Sequence, residues 1–163
     1  MKRELIFLFE NLRYDIDNLA YIIGQRAADD TLRQKITDVT QKNNMDRVKR
    51  MLDLAYAEAN DLCYPYTKVP PIAPAGRDFN DISDKPRYVI TLYMPPTTAK
   101  STLEVVRERI NEYFIWKVME DWLAINAPEM AKDYAGKAES IGEEIQRVLT
   151  SRMRMTTIKP SVF

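Results

Sequence analysis

Apolar residues recur at three- and four-residue spacing through most of this chain, a period that predicts amphipathic helix. Residues 4–63 carry no proline, and Leu5, Phe9 and Leu12 begin a stripe that Ile16, Leu19, Ala20 and Ile23 continue. Gly24 is a natural stop, with a run on to Ala28 as the alternative. A short helix over residues 32–39 follows. Asn43 or Asn44 then offers a cap for the clearest stripe of this half: Met45, Val48, Met51 or Leu52, Ala55, Ala59 and Leu62.

Residues 64–86 break the period. Pro65, Pro70, Pro71, Pro74 and Pro86 fall there with Gly76, so the segment must be an irregular connection. Residues 87–94 are β-branched and aromatic, bounded by prolines, and predict one strand. A strand cannot satisfy its backbone alone. The favoured partner is the C-terminal tail near residues 156–159; another chain is the alternative.

Ser101, Thr102 and Glu104 suggest a capping box opening a long helix. That helix starts amphipathic, with Leu103, Val106 and Ile110. It becomes apolar nearly all round over residues 113–123, which predicts burial on all sides and places Phe114 and Trp122 in the core. Asn126 and Pro128 mark a junction, Asn126 as a cap for the last helix, whose stripe is Tyr134, Ala138, Ile141, Ile145 and Val148 or Leu149. The expected fold is mainly α: a bundle of four to five helices with a small β element, forming one domain over residues 1–163.

Composition narrows the chemistry. The chain has 24 Lys plus Arg against 24 Asp plus Glu, a balance that disfavours a dedicated nucleic-acid binder. Histidine is absent, which removes the commonest general base and metal ligand together. Four glycines form no phosphate-cradling motif, and Cys63 is the only cysteine. No metal or cofactor is expected, and neither is a membrane span: no stretch approaches the roughly 20 apolar residues required. The start has two basic residues before an apolar run, but Glu10 ends that run too early for a leader.

Candidate sites are correspondingly few. The acidic run at 78–84 lacks the Gly and Glu of a calcium loop and reads as a solvated turn. Glu120 and Asp121 are either a buried general acid or surface carboxylates, one of them paired with Lys117 or Arg109. Trp116 and Trp122 are core residues or binding anchors. Partner contacts are expected at Tyr64 and Tyr66 beside Pro65, where the alternative is a helix stop packed onto the core, along the strand at Tyr88, Ile90 and Leu92, and in the tail at Arg152, Arg154, Ile158, Lys159 and Phe163. From Ile145 onward the chain has no acidic side chain, and the basic segment 153–163 is either a frayed terminus or an arm that folds onto a neighbour.

Residues 111–116 (Asn-Glu-Tyr-Phe-Ile-Trp) and 121–129 (Asp-Trp-Leu-Ala-Ile-Asn-Ala-Pro-Glu), an alanine-rich last helix and an arginine-rich tail together carry a resemblance. The C-terminal half resembles small uncharacterised virion proteins encoded in the structural-gene blocks of phages and prophages of gut bacteria. The resemblance implies a non-catalytic head–tail connector or neck protein, made in the bacterial cytoplasm, carried in the virion and working as a homo-oligomer. It supplies no catalytic residue. The alternatives are an accessory protein that touches nucleic acid through Arg147, Arg152, Arg154 and Lys159, and a small enzyme built on tyrosine and carboxylates.

Overall fold

The computed structural model describes residues 1–67 and 86–152. The elements run β1 (Lys2–Leu8), α1 (Phe9–Gly24), α2 (Asp30–Thr37), two short 3-10 turns (Asp38–Thr40 and Lys42–Asn44), α3 (Met45–Leu62), β2 (Arg87–Tyr93), α4 (Lys100–Asn126) and α5 (Pro128–Arg152). Five helices and a two-stranded sheet match the expected mainly-α bundle with a small β element.

The partner of β2 corrects the expectation. Residues 2–8 form a strand, not the first turns of a helix, and pair antiparallel with β2 in the register Lys2↔Tyr93 to Leu8↔Arg87. A short run of consecutive apolar residues fits either element by periodicity. Burial decides: Leu5 and Phe7 lie inside beside Ile90 and Tyr88, while Ile6 and Leu8 lie outside. The β-branched strand at 87–93 needed a neighbour, and the chain's first residues provide it. The tail expected to fill that place lies outside the described residues.

The inner face of the sheet packs on the helices through aromatic rings. Phe7 meets Phe114 of α4 edge-on at 5.1 Å, and Tyr88 touches both Phe114 and Tyr56 of α3. Such ring pairs add about 0.5–1.5 kcal/mol beyond the area they bury. One continuous cluster of buried residues then joins the sheet, α1, α3, α4 and α5. Phe114 and Trp122 belong to it, as the apolarity of residues 113–123 requires.

Helix ends follow local chemistry, with corrections. Asp29 caps α2 by accepting from the Thr31 and Leu32 amides, which starts that helix two residues ahead of the stripe read from sequence. Asn44 stands at the start of α3 as expected, but its side chain turns back to the Asp38 carbonyl and does not cap. The capping box at Ser101 does not form, because α4 starts earlier, at Lys100, and Thr102 is buried. Asn126 ends α4, donating to the Trp122 carbonyl, and does not cap α5, which Pro128 opens. Gly24 ends α1 against α2 so closely that a Cβ there would lie 2.7 Å from Thr37 Cγ2. Among the described residues, no helix is long and apolar enough to cross a membrane.

Candidate functional site

Hydrogen-bond parity along the sheet leaves one edge open. Met94 donates to the Met1 carbonyl and Phe9 donates to the Pro86 carbonyl, so odd-numbered residues of β1 bond to β2. In an antiparallel pair the intervening residues direct their N–H and C=O groups the other way. Those of Lys2, Glu4, Ile6 and Leu8 therefore face outward, and no hydrogen bond from the described residues reaches them. The opposite edge, on β2, is obstructed. There the Tyr93 amide donates to the Tyr66 carbonyl at 2.8 Å, and the Val89 carbonyl accepts from the Tyr56 hydroxyl at 2.7 Å.

The open edge is also apolar at its second half, residues 6–8. Ile6 is 42% exposed and Leu8 49%, on the outer face beside Val89 and Arg87. Lys2 and Glu4 pair with each other at 2.9 Å and put charge on the first half of the strand only. Natural proteins usually guard a strand edge with charge, proline or a covering element. Residues 6–8 have none of these among the described residues. A cleft of about 460 Å³ runs beside them, lined by Ile6, Phe7, Leu8, Asn11, Tyr14 and Asp15 on one side and by Arg107, Glu108 and Asn111 of α4 on the other. Main-chain groups in a row beside a pocket for side chains are the two requirements for adding an extended strand.

A second feature is polar. A groove of about 400 Å³ between α4 and α5 is lined by Tyr113, Lys117, Glu120, Glu139, Gly142 and Glu143, among others. Tyr113 donates to Glu58 at 2.9 Å, and the Lys117 ammonium sits 3.2 Å from Glu120 and 3.7 Å from the same Glu58 oxygen. Burial, then the Glu58 carboxylate, pushes the Tyr113 hydroxyl well above its ordinary range. Burial works against the charge on Lys117. Its hydrogen bond to Glu120 and the surrounding carboxylates outweigh that and raise it. Asp121 is raised as well, by burial first, with Lys117 opposing. A tyrosine held protonated and a lysine held charged are neither base nor nucleophile near neutral pH. The groups are closed on one another, and Glu120 pairs with Lys117 as one of the sequence readings has it.

The residues expected at a partner surface fall into three sets. Tyr64 is exposed at 73% and lines a cleft with Tyr66, Gln146 and Leu149. Tyr66 itself is a brace: its hydroxyl donates to the Leu149 carbonyl at 3.3 Å while its own carbonyl takes the Tyr93 amide. The second set is a correction. Tyr88, Ile90 and Leu92 point inward and are buried, so these three side chains face the core and not a partner. The strand's parity was readable, but which face met the core was not until β1 was in place. The third set, Arg154, Ile158, Lys159 and Phe163, lies outside the described residues, as do the side chain of Arg152 and the acidic run at 78–84.

The sequence reading passes over Ile6 and Leu8 because it takes residues 4–63 as helical, with Leu5, Phe9 and Leu12 as the stripe. The signal that could have found them is the consecutive apolar run Leu5, Ile6, Phe7, Leu8 combined with an unpaired β2. Trp122 is core, while Trp116 is half-buried, stacked on Tyr134 at 5.4 Å with Lys137 over both rings. Comparison with protein-family models, with curated proteins and with solved structures returns no significant match.

Proposed function

We propose that this protein is a non-catalytic assembly subunit that binds other protein chains through the open edge of β1. The observation that carries the reading is the outward row of main-chain groups from Lys2 to Leu8, flanked by exposed Ile6 and Leu8 and by the cleft against α4. The resemblance of the C-terminal half to phage connector or neck proteins gives such an edge a setting: a helical subunit joined to its neighbours in a virion. The enzyme alternative has the Tyr113–Lys117 groove in its favour, but Tyr113 is hydrogen-bonded to Glu58 and Lys117 is paired with Glu120 and Glu58, so neither is free as a base or nucleophile.

Solution mass tests the reading. Light scattering or sedimentation of the wild-type chain should show self-association that Ile6→Lys and Leu8→Lys abolish, with circular dichroism unchanged because both side chains are exposed. Association unaffected by either substitution would contradict it.

A further inference from the structure

We draw no further inference here: the strongest candidate, the open edge of β1 with exposed Ile6 and Leu8 beside the cleft against α4, belongs to the site already described, and nothing in the structure shows what covers it.

Discussion

The indole nitrogen of Trp122 donates a 3.1 Å hydrogen bond to the backbone carbonyl of Ile36, across 86 residues of sequence. The bond ties α4 to the last turn of α2, where helix carbonyls otherwise lack partners. Trp122 is 3% exposed and Ile36 fully buried, so the pair is sealed from water. Trp122→Ala should cost about 3–5 kcal/mol for the cavity. Trp122→Phe keeps most of the bulk but orphans a buried carbonyl, at a cost of about 1–3 kcal/mol. Denaturant unfolding should rank wild type above the Phe variant and Phe above Ala; equal midpoints would exclude Trp122 from the core.

Gly24 sits where α1 packs tightly against α2, with no room for a Cβ beside Thr37. Thr37 cannot rotate away from an added methyl without giving up its hydroxyl bonds to the Arg33 and Gln34 carbonyls. Gly24→Ala should therefore destabilise by about 1–3 kcal/mol, against the usual helix preference for alanine. Thermal unfolding of that single variant measures it, and a raised midpoint would show that the helix ends yield freely.

Alkaline pH should weaken the fold. Burial pushes the Cys63 thiol up to about 12 from 9.0, and Tyr88 and Tyr113 are raised in the same direction by burial and by Asp53 and Glu58 respectively. All three bind their proton more tightly folded than unfolded. Their contribution is complete below the unfolded values and is lost as pH rises through the folded ones. Stability should hold near pH 8 and fall from about pH 9 upward. In the native state at pH 8, Cys63 should resist a thiol reagent and react only on unfolding; rapid native labelling would contradict its burial.

Deleting residues 153–163 should leave the helical circular dichroism intact, since the described core already runs from Leu5 to Leu149. It should impair assembly. A truncated chain that assembles as well as the full one would make the tail dispensable.

Much of the fold was legible because a helical stripe is a local signal. Val48, Leu52, Ala55 and Ala59 of α3 announce their buried face by spacing alone, and residues 113–123 announce a helix buried all round. The strand β1 was not legible locally. Leu5, Phe9 and Leu12 fit a helical stripe, and only the need of Tyr88, Ile90 and Leu92 for a partner, some 85 residues away, turns Leu5 and Phe7 into a strand face. The candidate site shares that difficulty. An open edge is a property of pairing parity, visible once β1 and β2 are registered, and residue types at 6 and 8 do not declare it.

Residue-resolved amide exchange of β1, in dilute and in assembled protein, tests the open edge most directly. The amides of Leu5 and Phe7 point to β2 and should be protected in both states, whereas those of Glu4, Ile6 and Leu8 should exchange freely when dilute. The account predicts that assembly slows Glu4, Ile6 and Leu8 and leaves Leu5 and Phe7 unchanged. Assembly that leaves Glu4, Ile6 and Leu8 exchanging as fast as in dilute solution would contradict it.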